Sequence, residues 1–201
     1  MVEETIPRFD GSGLSYPGEK SRIAVLGLGN ILLSDEGVGP RAAAALSEGY
    51  IFSPSVDIID GGTMGLDLLP LFQDRDRILI IDAVDFCKSP GHFELINGNA
   101  IPAVLNSKLS VHHIGLSDLL LATLLTRETP LDLCLVGIQP QSLQMSLVLT
   151  GEVRNSFDAV LGLVVEKLKE WKIESLPRRF FLSGMFAKGF PNIISPCSFL
   201  S

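Results

Sequence analysis

Two kinds of apolar run alternate along the chain. Short, largely apolar runs stand at Ile23–Leu28, Val56–Ile59, Arg77–Val84 and Leu131–Ile138, the first of them unbroken, and each stops at Gly, Asp or Gln. Runs of this kind predict strands covered on both faces, because neither face needs polar positions. Between them lie segments with helical character. Pro40–Leu46 is Ala-rich with a proline near its start, and Leu66, Leu68, Leu69 and Phe72 mark a short second helix. Gly115–Leu125 has the apolar density of a buried helix. Glu152–Trp171 carries a stripe at Val153, Phe157, Val160, Leu161, Val164, Val165, Leu168 and Trp171 with the 3.6-residue period. Ser89-Pro90-Gly91 turns the chain toward His92–Ile96, which reads as a hairpin or edge strand. Alternating strand and helix predict an α/β, three-layer sandwich. Its mainly parallel, twisted sheet has about five strands with helices on both faces, a phosphorylase/hydrolase-like arrangement.

The flanks differ from this body. Residues 1–21 are polar with Gly11, Gly13, Pro17 and Gly18, and read as a flexible leader. The folded domain is expected over 22–172, and 173–201 reads as a carboxyl-terminal tail. From Arg178 onward the chain holds three basic residues, no acids and five of its eleven phenylalanines.

Charge narrows the function. The net charge is −7, and −10 without the residues from Arg178 onward. That sign is wrong for neutralising a phosphate backbone, so nucleic acid is not an expected partner. The apolar runs are broken by acids far short of the roughly 18 residues a membrane helix requires, and Glu3 and Glu4 stand where a secretion signal would be basic. Cys87, Cys134 and Cys197 form no CxxC pair and no even disulfide set. A soluble cytoplasmic protein is the expectation.

Ligands of open α/β sheets gather beyond the carboxyl ends of the strands. The polar residues there are Asn30, Asp35 and Glu36, then Asp60 with Gly61, Gly62 and Thr63, then Asp82 and Asp85, and finally Gln139. Asp82 is carried inward by Ile78–Ile81, where an unpaired charge is costly. A cation removes that cost. One imidazole of His112 or His113 would complete an oxygen, oxygen, nitrogen set with Glu36 and Asp82 that suits borderline divalent metals. Set against this, Glu36 also suits a first-turn acid on the helix dipole and Asp35 a helix cap. Gly27-Leu28-Gly29 follows a strand, but Leu32 takes the place of the third glycine of a dinucleotide fingerprint, and the acids would repel a pyrophosphate. These glycines read instead as a tight turn. Gly61-Gly62 at a strand end also leaves backbone N–H groups for an extended peptide.

Five segments in order carry a resemblance: Gly27-Leu-Gly-Asn-Ile-Leu-Leu-Ser-Asp-Glu-Gly-Val-Gly39, Asp60-Gly-Gly-Thr63, Asp82-Ala-Val-Asp85, Ser110-Val-His-His-Ile-Gly-Leu116 and Val136-Gly-Ile-Gln-Pro140. Together they closely resemble the nickel-iron hydrogenase maturation endopeptidases, over about residues 22–172. The resemblance implies an endopeptidase that removes the carboxyl-terminal extension of the hydrogenase large-subunit precursor after nickel insertion. It implies metal ligation by Glu36, Asp82 and His112, with His113 elsewhere. Asp60 falls on the family's DGG motif and is assigned to catalysis or substrate positioning, with Gly61, Gly62 and Thr63 binding substrate. Nickel is expected to arrive with the substrate, and other divalent metals can occupy the site.

No serine or cysteine nucleophile grouping and no HExxH accompanies these residues, which leaves a metal-assisted route. Nickel that polarises the scissile carbonyl or a water and nickel that only docks the substrate both fit the sequence. Two alternatives are a peptidyl-tRNA hydrolase-like enzyme, which shares a GLGN turn but needs a basic groove, and a non-catalytic nickel-binding maturation chaperone.

Overall fold

A computed structural model of the chain describes residues 21–102, 111–126 and 130–178; the side chains of 99, 111–115 and 117 are outside the description. The predicted leader (all but residue 21) and the Phe-rich tail from 179 onward lie outside it too.

The elements are β1 (Ile23–Leu28), α1 (Val38–Gly49), β2 (Tyr50–Ser53), β3 (Asp57–Gly62), α2 (Leu69–Phe72), β4 (Arg77–Ala83), β5 (Phe93–Asn97), α3 (Val111–Thr126), β6 (Asp132–Ile138), α4 (Gly151–Glu170) and β7 (Glu174–Pro177). Five strands form one sheet in the order β3-β1-β4-β6-β5. The first four are parallel, and β5 runs antiparallel beside β6: of the two readings of this segment it is the edge strand, not a hairpin with β4, that forms. The expected α/β sandwich is the observed fold.

Period-two alternation divides the core between the two faces. Ala24, Leu26, Ile78, Ile80, Leu133 and Leu135 pack with Leu68 and Phe72 around α2 and with Leu116 and Leu119 of α3. Val25, Leu79, Ile81, Cys134 and Val136 pack with Val38, Ala42 and Leu46 of α1 and with Val153, Val160, Val164 and Leu168 of α4. The 3.6-residue stripe read in α4 is therefore its buried face.

The folded body continues past residue 172, where the tail was expected to begin. Ile173 is buried, and β7 pairs antiparallel with β2, Tyr50 opposite Pro177 and Ser53 opposite Glu174. Neither short strand has a long apolar run, because each gains its stability from the other and from the α1/α4 layer. The indole N–H of Trp171 donates to Asp132 Oδ2 at 2.6 Å and fixes the end of α4 to the start of β6. Among the described residues no helix is long and apolar enough to cross a membrane.

Candidate active site at the sheet switch point

From β1 the chain crosses to β3 on one side, whereas β4 lies on the other, so the strand order reverses between β1 and β4. A crevice at the carboxyl ends of two such strands is where open α/β sheets bind ligands. The start of α1 closes in on this point. A Cβ on Gly39 would lie 2.2 Å from the Leu28 carbonyl oxygen and 2.3 Å from that of Ile81, so only glycine lets the helix rest on both strand ends. Gly27 is equally constrained, with the Gly39 oxygen 2.2 Å from its would-be Cβ. Gly29 takes φ +125° and donates its N–H to Gly62 O at 2.9 Å, which joins the loops after β1 and β3. The reading of Gly27 and Gly29 as close-approach turns holds.

This docking sets Glu36 beside Asp82. Glu36 lies in the single 3-10 turn Ser34–Gly37 just before α1, and both acids are buried. Alternation along β4 turns Asp82 to the same side as Ile78 and Ile80, the face covered by α3. Asp82 Oδ1 accepts the Ala83 N–H at 2.8 Å. Burial nevertheless pushes its carboxyl up to about 7, and the neighbouring Glu36 carboxylate pushes the same way. Two acids held in one dry crevice form a donor set that favours a cation.

Connectivity brings the start of α3 to the same edge. Its sixteen residues span about 24 Å, the length of β6, and its end is close in sequence to the start of β6. Its body packs on the 3-10 turn Gly65–Leu68 after β3. His112 and His113 thus belong to the first turn of a helix that begins at the carboxyl edge. Their imidazoles lie outside the described residues. Among the described side chains, no third His, Cys, Asp or Glu joins Glu36 and Asp82 as a metal-holding group.

Asp60 lies two residues before the end of β3 and is exposed, with Oδ1 accepting the Gly62 N–H at 3.0 Å. Gly61 is buried beneath Leu28 and Leu68, whereas Thr63 faces solvent. Because β3 is one of the two edge strands of this sheet, one row of its backbone groups faces away from β1.

Two residues have roles that local reasoning missed. Asp35 does not cap the following helix. Its buried carboxylate instead accepts the Gln141 and Ser142 N–H groups, the Thr150 N–H and the Thr150 hydroxyl, at 2.7 to 3.0 Å. Gln139 plays a similar part after β4: its Oε1 accepts the Phe86 and Lys88 N–H groups, and its Nε2 donates to Asp85 Oδ1. The only sequence signal for either was position, Gln139 directly after β6 and Asp35 in the loop that follows β1.

The hydrogenase maturation protease model of the HycI family matches residues 40–167. The chain is 41% identical over 158 residues to the Hydrogenase 2 maturation protease of Escherichia coli, covering 78% of this chain and 96% of that protein. The chain belongs to the hydrogenase maturation protease family. It is 35% identical to the hydrogenase expression/formation protein HoxM of Cupriavidus necator, with 85% of this chain and 86% of that one covered. Among solved structures, the hydrogenase maturating endopeptidase HybD from E. coli superposes with a TM-score of 0.75 at 40% identity, over 79% of this chain and 99% of that one. The [NiFe] hydrogenase maturation protease HybD from Thermococcus kodakarensis gives 0.61 at 26% identity, over 74% and 99%. Membership makes this protease a peptide hydrolase and removes the peptidyl-tRNA hydrolase alternative.

Proposed function

We propose that this protease removes the carboxyl-terminal extension of a nickel-iron hydrogenase large-subunit precursor after nickel has been inserted. The observation that carries the reading is the Glu36–Asp82 pair, buried together at the switch point, with Asp82 held at about 7 by burial and by its neighbour. Nickel presented by the precursor relieves that arrangement, and His112 at the start of α3 supplies the third ligand from this chain. Carboxylate and imidazole donors suit nickel, and other divalent metals fit the same set.

The remaining roles follow from exposure and edge position. Nickel held there stands beside the peptide and supplies Lewis acidity or docking. Asp60, open to solvent, takes a proton from the attacking water. The Gly61–Thr63 segment receives the extension as an extended chain along the free edge of β3. A reducing cytoplasm suits a chain whose cysteines form no CxxC pair and no even disulfide set.

The test is to incubate the purified protein with nickel-loaded precursor and with nickel-free precursor, and to weigh the products by mass spectrometry. Shortening of the nickel-loaded form alone is expected. Binding without shortening would transfer the protein to the chaperone reading, and equal shortening of both forms would remove the metal from recognition.

A further inference from the structure

The segment from Pro140 to Leu149 contains no charged residue. It exposes Leu143, Met145, Leu147 and Val148, with Met145 85% accessible, and Ile31 and Leu32 of the loop after β1 are exposed beside it. Surface loops are ordinarily polar and loosely held. This one is apolar and tightly held. Ser146 donates its N–H to Leu32 O at 2.9 Å and accepts that of Ser34 at 2.8 Å, a short parallel bridge between the two loops. Ser34 Oγ donates to Val148 O, Arg41 donates to Leu147 O, and Asp35 binds both ends of the segment.

We infer that this platform docks an apolar surface of the large-subunit precursor and so sets substrate affinity, with Asp35 as its positioning residue. The inference rests on the functional reading above. Its support is continuity: the anchor, Asp35, is the residue next to Glu36, so a folded protein that brings its metal to Glu36 and Asp82 must also cover the adjoining loops. A platform already ordered gives up little conformational freedom on binding, which is the arrangement expected where exposed apolar side chains serve recognition. An uncharged surface on a chain of net charge −7 also admits a partner without like-charge repulsion at that point.

The experiment measures KM and kcat for nickel-loaded precursor with the full-length parent, with the double variant Met145→Ser/Leu147→Ser, and with Leu131→Ser as a control. Leu131 is 87% accessible and stands just before β6, at the opposite edge of the sheet. The double variant is expected to raise KM at least about tenfold with kcat within about twofold of the parent, as for loss of central apolar contacts. The control should keep the parental KM. If the parent processes precursor and the double variant retains its KM, the platform is not a docking surface although the functional reading stands. If the parent shortens no precursor, both fall. If the double variant instead converts a parental dimer to monomer in sedimentation at unchanged KM, a second copy of the chain is the occupant and the inference is overturned.

Discussion

Asp35 and Thr150 are bonded twice, the Thr150 N–H to Oδ1 at 2.7 Å and the Thr150 hydroxyl to Oδ2 at 2.8 Å. One carboxylate in the 3-10 turn before α1 thereby holds the residue that precedes α4. With Gln141 and Ser142 it fixes the loop after β6 against the residue next to Glu36.

Asp35→Asn keeps the shape of this clamp but turns an NH2 group toward N–H donors. Unsatisfied buried donors cost on the order of 1–3 kcal/mol each, so the variant is expected to lose roughly 2–4 kcal/mol of stability. Hydrogen exchange should report lost protection at Gln141, Ser142 and Thr150 before the strands. Unchanged protection at those amides would show that the carboxylate is not the clamp.

Gly39→Ala tests the contact between α1 and the strand ends. The added methyl meets backbone oxygens of Leu28 and Ile81, which cannot swing aside. A loss of about 3 kcal/mol or more is expected, at the upper end of overpacking costs. Gly162→Ala is the matched control, because nothing stands within 4 Å of the new methyl in the middle of α4, and it should gain roughly 1 kcal/mol from helix propensity. Thermal melts of the two variants should move in opposite directions.

Asp82 predicts a pH dependence in the metal-free protein. Its folded pKa of about 7 lies above the ordinary value of 3.8, so between those limits the folded state keeps a proton that the unfolded chain has released. Stability falls as pH rises through this window and levels above it. Asp82→Asn cannot ionise, and the loss it escapes is on the order of 4 kcal/mol at roughly 1.36 kcal/mol per pKa unit. Its melting temperature should exceed the parent's by several degrees at pH 8 and match it near pH 4. A constant offset across that range would contradict the origin given for the shift.

His112→Ala and His113→Ala separate the two histidines at the start of α3. Only His112 is assigned to the metal, and loss of a ligand leaves two carboxylates with an incomplete shell. Processing of nickel-loaded precursor is expected to fall at least about tenfold for His112→Ala, with little change for His113→Ala. The reverse order would exchange their roles.

The alternation of strand and helix, the mainly parallel sheet with helices on each face, Asp60 and Asp82 near strand ends and Glu36 in the loop after the first strand are all legible in the chain itself. Each depends on a local pattern: a largely apolar run makes a buried strand, and the polar residues near its carboxyl end are delivered to the edge. The pairing of β2 with β7, the meeting of Glu36 with Asp82 and the clamp by Asp35 were decided only by the tertiary structure. The partners of Asp35 lie 106 to 115 residues away along the chain. Nothing local distinguishes a carboxylate that caps its own helix from one that crosses to another loop, because both need the same residue type at the same position. The choice belongs to packing, where Gly39 lets α1 settle on two strand ends and so determines which donors Asp35 can reach.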